Sequence, residues 1–158
     1  MNENIVQEVF DLLIKQGMTF ASAESCTGGN IAHQITLIAG SSNVFKGTAV
    51  TYATSMKTKV LGVPVKTIKK YTVVSQQVVE GMATGVRDLM EADFGVATTG
   101  VAGPGGGSAL TPVGTVWIGV ASKNGVVSHC YRFKGNRVEV INQATFAAYE
   151  MLKQQIIN

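Results

Sequence analysis

The 158-residue chain holds only three prolines and two cysteines, Cys26 and Cys130. Two cysteines leave room for one disulfide at most, which excludes a disulfide-stapled scaffold and a cysteine zinc site. The two histidines, His33 and His129, join no cluster of metal-ligand spacing, so each reads as structural and no metal or other cofactor is expected. Charge is also scarce, at 15% against 46% hydrophobic residues, the reverse of a disordered chain. No apolar run reaches the length of a membrane span. The start, Met1-Asn2-Glu3-Asn4, lacks the basic and apolar regions of a signal peptide, so a cytoplasmic protein with no membrane partner is expected. Net charge is +3. Its densest basic stretch, Lys57, Lys59, Lys66, Lys69 and Lys70, has no interleaved aromatics and no arginine cluster. That pattern reads as a solvated helical face and argues against a nucleic-acid partner.

What the chain does have is glycine, 18 residues of it, without the proline of a low-complexity linker. Its length suits one domain over residues 1–158. Ile5, Val6, Val9, Phe10 and Leu13 recur at helical spacing and stop near Gly17. Thr19 to Ala23 reads as a buried strand, and Gly28-Gly29 open a helix to about Ile38. Lys46 to Tyr52 reads as a strand, followed by a short helix from Ser55 to Leu61. Ser75 N-caps the next helix, flanked by Val74 and Val79 as a hydrophobic staple. Phe94 to Thr98 is a strand, and a glycine loop follows from Gly100 to Pro112. Val113 to Ala121 and Val126 to Phe133 pair across an Asn124-Gly125 turn. A last helix runs from Arg137 to Ile156. This order predicts an α/β fold: a single three-layer α/β/α domain with a mixed, mostly parallel sheet.

Four segments are candidates for chemistry. Glu24-Ser25-Cys26-Thr27-Gly28-Gly29 joins a strand end to a helix start, where free N–H groups favour an anion. Ser25, Thr27 and Gly28 are its candidate binding residues, although a plain helix cap explains the motif equally well. Thr98-Thr99-Gly100-Val101-Ala102-Gly103-Pro104-Gly105-Gly106-Gly107 is neither a P-loop nor a dinucleotide fingerprint. It fits a backbone nest for an oxyanion, with Thr99, Gly100 and Gly103 as candidates. Ser42, Tyr52 and Lys57 form the third set. With Thr54 as cap, Lys57 would sit in a first helical turn, where the macrodipole lowers its pKa, and a partly buried neutral lysine there can take the proton of a serine. Spacing alone leaves a loop serine and a surface lysine the better reading. Arg137, after Asn136, stands at the unfavourable end of the last helix, a conflict that an anionic ligand would relieve.

Taken in order, these segments resemble the CinA C-terminal domain family of nicotinamide mononucleotide amidases, from about Ile5 to Leu152. The resemblance rests on Ala23-Glu24-Ser25-Cys26-Thr27-Gly28-Gly29, Gly40-Ser41-Ser42, Val50-Thr51-Tyr52 with Lys57, and Leu61-Gly62-Val63. Val74-Ser75, Thr99-Gly100-Val101-Ala102-Gly103-Pro104-Gly105-Gly106 and Pro112-Val113-Gly114-Thr115-Val116 complete it. It implies cofactor-free hydrolysis of the nucleotide's carboxamide to nicotinic acid mononucleotide and ammonia, in a homo-oligomer. It also implies Ser42 as nucleophile, Lys57 as its base and Tyr52 assisting. Ser25, Thr99, Gly100, Gly103 and Arg137 would hold phosphate, ribose and amide. The chain departs from the family pattern at Thr54, often asparagine, and at Asn136, usually aspartate. Two other readings stand beside this one: a silent nucleotide-binding module, and a thiol hydrolase using Cys26 with His33.

Overall fold

A computed structural model describes residues 2 and 4–158. The chain order is α1 (Ile5–Gln16), β1 (Phe20–Glu24), α2 (Asn30–Thr36), a 3-10 turn (Ser41–Asn43), β2 (Phe45–Val50) and α3 (Thr54–Leu61). Then come α4 (Val65–Tyr71), α5 (Gln76–Leu89), β3 (Phe94–Gly100), β4 (Thr115–Ser122), β5 (Gly125–Arg132) and α6 (Arg137–Ile157). The strands form one sheet in the order β2-β1-β3-β4-β5. β2, β1 and β3 are parallel, while β4 and β5 join antiparallel through the expected hairpin.

Two apolar cores make the three layers. On one face α1, α2 and α6 pack Val9, Leu13, Ile31, Ile35, Ala148 and Leu152 against Phe20, Val96 and Ile118. On the other, Val78, Val79, Met82 and Val86 of α5 cover Ala21, Ala23, Ala97 and Ala121, with Leu61 and Val63 beside them. Small residues on this second face let α5 lie close to the sheet. A Cβ at Gly95 would stand 2.1 Å from the Ala83 carbonyl oxygen, so no larger residue fits there.

The sequence reading omitted α4, a short lysine-rich helix that follows Pro64 as its N-cap. It also placed Thr54 as the cap of α3. Ala53 takes that position, so Lys57 is the fourth helical residue. Ser75 caps α5 as expected, accepting from the Val78 N–H at 3.3 Å.

Between the layers lies a fully buried carboxylate. Glu24 ends β1, and its two oxygens accept from the hydroxyls of Ser22 (3.0 Å), Thr27 (2.8 Å) and Thr48 (3.0 Å). They also accept from the N–H groups of Gly29, Ile31 and Ala32 at the start of α2. A buried anion is tolerated only when its lone pairs are satisfied, and here the helix terminus supplies half of the donors. Glu24→Gln puts amide hydrogens where donors converge, and is expected to destabilise the fold by about 3 kcal/mol or more. Urea unfolding measures this as a lower midpoint at unchanged slope. A loss under ~0.5 kcal/mol would show the network to be incidental.

Candidate functional site

The parallel register sets Glu24 opposite Val50 on β2 and Thr98 on β3, so three strands end together at one edge of the sheet. Ser25 and Tyr52, just past β1 and β2, and Thr99 and Gly100, the last residues of β3, line a cleft of about 290 Å³. Lys57 from α3, Gly103 from the glycine loop and Arg137 from α6 complete its wall.

Lys57 is the unusual member. Its side chain is 1% exposed. Its Nζ donates to the Thr51 carbonyl at 2.6 Å and lies 3.1 Å from Ser25 Oγ. Among the described residues no carboxylate pairs with it. Burial therefore pulls its pKa below the ordinary lysine range, an effect that the neighbouring Cys26 opposes. The sequence reading expected desolvation and the helix dipole to act together; desolvation is the cause found here, and Lys57 is the fourth residue of α3.

The pairing of Ser42 with Lys57 is not formed. Ser42 lies exposed in the turn that precedes β2, whereas Lys57 follows that strand. The six residues of β2 separate them by about 20 Å at ~3.3 Å per residue. Ser25 occupies the place expected of Ser42. The signal for it was present in the sequence, as a serine one residue beyond a buried strand end.

Thr27 and Gly28 also fall outside the cleft. Thr27 is buried, with its hydroxyl bonded to Glu24 and to Thr98 Oγ1. The amides at the start of α2 are spent as well: Gly28 donates to Ser25, Asn30 to Thr27, and Gly29, Ile31 and Ala32 to Glu24. The expected phosphate site at this helix start is filled by the chain's own carboxylate.

Anion-binding capacity lies instead with Arg137 and the glycine loop of the same cleft. Arg137 donates Nη1 to the Gly103 carbonyl at 2.7 Å and Nη2 to the Tyr52 hydroxyl at 2.9 Å. Tyr52 thus braces the arginine, where the family resemblance has it assist Ser42 and Lys57. Gly103 has φ +84°, and a Cβ there would lie 2.4 Å from Val113 Cγ1, so only glycine turns this loop. Among the described residues the amides of Gly103, Gly105 and Gly106 donate to no protein acceptor, which leaves them open to an anion. Thr99 lines the same wall, with its hydroxyl held by the Val73 carbonyl at 3.0 Å.

Of the two departures, Thr54 lines the cleft and so touches the space a ligand would fill. Asn136 does the work of an aspartate cap, accepting from the Glu139 N–H at 3.0 Å in a complete capping box. The thiol reading loses its physical basis. Burial raises the Cys26 pKa to about 11, which keeps the thiol protonated at neutral pH, and His33 is exposed on α2. Both cysteines are free. Among the described residues no group of three or more His, Cys, Asp or Glu gathers as a metal site, and no helix is long and apolar enough to cross a membrane.

Residues 2–156 match the CinA C-terminal domain. A CinA-like protein of Flavobacterium psychrophilum is 47% identical over 146 residues, covering 92% of this chain and 35% of that protein. Its counterpart in Fervidobacterium nodosum is 44% identical over 149 residues, covering 94% and 36%. The chain thus spans little more than a third of these relatives. Among solved structures, the competence/damage inducible protein of Agrobacterium tumefaciens superposes with a TM-score of 0.95 at 39% identity, covering 99% of this chain and 95% of that one. A CinA superfamily protein of Klebsiella pneumoniae gives 0.94 at 33%, covering 98% and 96%. The chain belongs to the CinA C-terminal domain family.

Proposed function

We propose that the protein hydrolyses the carboxamide of nicotinamide mononucleotide, using Ser25 as nucleophile and Lys57 as general base. The observation that carries this reading is the contact between Ser25 Oγ and a buried lysine with no carboxylate partner. An amine so placed has two N–H groups and one lone pair. One N–H goes to the Thr51 carbonyl, and the lone pair can face the Ser25 hydroxyl. The substrate class comes from the family resemblance. It is supported by a cleft whose lining includes, besides the serine, Arg137 and a glycine loop with free amides, groups suited to a phosphate.

In the reaction Lys57 takes the Ser25 proton as Oγ bonds to the carboxamide carbon. The C–N bond then breaks, and Lys57 returns the proton to the departing nitrogen, which leaves as ammonia. Water, deprotonated by the same amine, cleaves the Ser25 ester to give the carboxylate and restore the serine hydroxyl. The sum is amide plus water to acid plus ammonia.

Ammonia release from nicotinamide mononucleotide, with chelator present, tests the reading. Ser25→Ala is expected to lower kcat by about 10³-fold, while Ser42→Ala stays within about twofold. Lys57→Arg should be nearly as damaging as Ser25→Ala, because guanidinium does not give up its proton near neutral pH. Binding without turnover in the unsubstituted protein would identify a silent nucleotide-binding module instead.

The base must be unprotonated to act, and burial disfavours the ammonium form. The rate should therefore rise with pH to a plateau reached below the ordinary lysine value of ~10.4. A pH–rate profile with its acid-limb midpoint at or above that value contradicts the assignment.

Nicotinamide riboside lacks the phosphate that Arg137 and the glycine loop would hold. Its kcat/KM is expected to be at least about 10²-fold below that of the mononucleotide. Equal turnover of the two would remove phosphate recognition from the proposal.

A further inference from the structure

Thr51 presents Lys57 with one oxygen and keeps another in reserve. Its carbonyl accepts the Lys57 amine at 2.6 Å. Its residue is 1% exposed, and its hydroxyl is, among the described residues, the one buried side-chain polar atom without a hydrogen-bond partner. Nearby buried polar side chains are different: Ser22, Glu24, Thr27, Thr98 and Thr99 all have partners. Leaving a buried hydroxyl unpaired is destabilising, so its presence calls for a state in which it is paired.

Proton transfer creates such a state. A protonated lysine has three N–H donors, and two acceptors are in place, the Thr51 carbonyl and Ser25 Oγ. A third donor appears where Lys57 is almost closed to solvent. Covalent geometry keeps a threonine hydroxyl near its own carbonyl, and rotation about χ1 re-aims it without moving the backbone. We propose that the Thr51 hydroxyl is the third acceptor of Lys57 once Lys57 has taken the Ser25 proton. Thr51 is then a positioning residue that acts through Lys57. The inference rests on the Ser25–Lys57 reading above.

The charged surroundings leave this role open. Cys26 faces Lys57 from the β1–α2 turn as a neutral thiol, and Tyr52 and Arg137 across the cleft are bonded to each other. On α5, which packs against α3, Glu80 accepts from Gln76 and Ser128, and Arg87 donates to the Asp93 carbonyl. Asp88 lies in the α3–α5 groove beside Leu61 and Gly62, one turn beyond Lys57, and Lys59 is exposed.

Two measurements test the proposal on the full chain. The first is the titration of Lys57 without substrate, by NMR of protein carrying ¹³Cε-lysine, with its resonance assigned by loss in Lys57→Met. An acceptor for the ammonium raises the lysine pKa, so Thr51→Val should shift the midpoint down by about one pH unit, and Thr51→Ser should restore it. The second is turnover of nicotinamide mononucleotide. Thr51→Val should lower kcat about tenfold with KM unchanged, and Thr51→Ser should recover to within about twofold. Should Thr51→Val fail to fold, Thr51→Ala is read in its place. An unmoved Lys57 midpoint in a folded variant lacking the hydroxyl overturns the proposal. Full activity of Ser25→Ala instead overturns the Ser25–Lys57 reading, while the titration still decides whether Thr51 serves the ammonium.

Discussion

The carboxylate of Glu24 is the fixed point of this molecule. It is buried, and among the described residues no cation pairs with it, so its stability depends on aligned donors. Those donors come from β1 itself through Ser22, from β2 through Thr48, and from the α2 start through Thr27 and three amides. Thr27 carries the connection on to Thr98 of β3. One side chain thus ties three parallel strands and a helix terminus at the level where the cleft begins. Ser25 is the next residue, with its own N–H bonded to the Thr98 carbonyl, so the proposed nucleophile stands on a backbone that has little freedom to shift.

The same interaction decides where an anion can be held. A helix start is an anion site only while its amides are free. At α2 the chain satisfies them internally, which leaves Arg137 and the glycine loop as the cleft's candidates for holding an anion. The two cations of the cleft therefore behave in opposite ways because of their surroundings. Arg137 is exposed, hydrogen-bonded and permanently charged, suited to a phosphate. Lys57 is buried without a carboxylate partner among the described residues, and that burial favours the uncharged amine that a base requires.

Hydrophobic periodicity made most of the fold legible. Val9 and Leu13 mark α1, Val78, Met82 and Val86 mark α5, and the Asn124-Gly125 turn marks the hairpin, since each pattern reports burial directly. Helix α4 escaped because Lys66, Lys69 and Lys70 leave only Val65 and Ile68 as apolar signals over seven residues. Composition groups Lys57 with those lysines on a solvated face; only its reading as a base beside Ser42 and Tyr52 requires it to be partly buried, and it is enclosed. Glu24 escaped for a related reason: carboxylates are seldom buried, and only the converging donors reveal this one. The Ser42 assignment failed on geometry. Ser42 and Lys57 are near in sequence, but a strand between two residues carries them to opposite ends of the sheet.

The position of the cleft follows from the route of the chain. From β1 the chain passes through α2 on one face and returns as β2 on one side. From β2 it passes through α3 to α5 on the other face and returns as β3 on the other side of β1. The carboxyl end of β1 is therefore where the connections diverge, and the helices leaving in opposite directions open a crevice there. Ser25 lies at that point by topology, and the ends of the neighbouring strands bring Thr51 to one side of it and Thr99 to the other. α3 leaves the end of β2 and turns Lys57 back over the Thr51 carbonyl, so its amine reaches Ser25 from the adjacent strand, and the two groups meet across 32 residues of sequence. Sequence spacing carries no trace of that meeting; the strand order does.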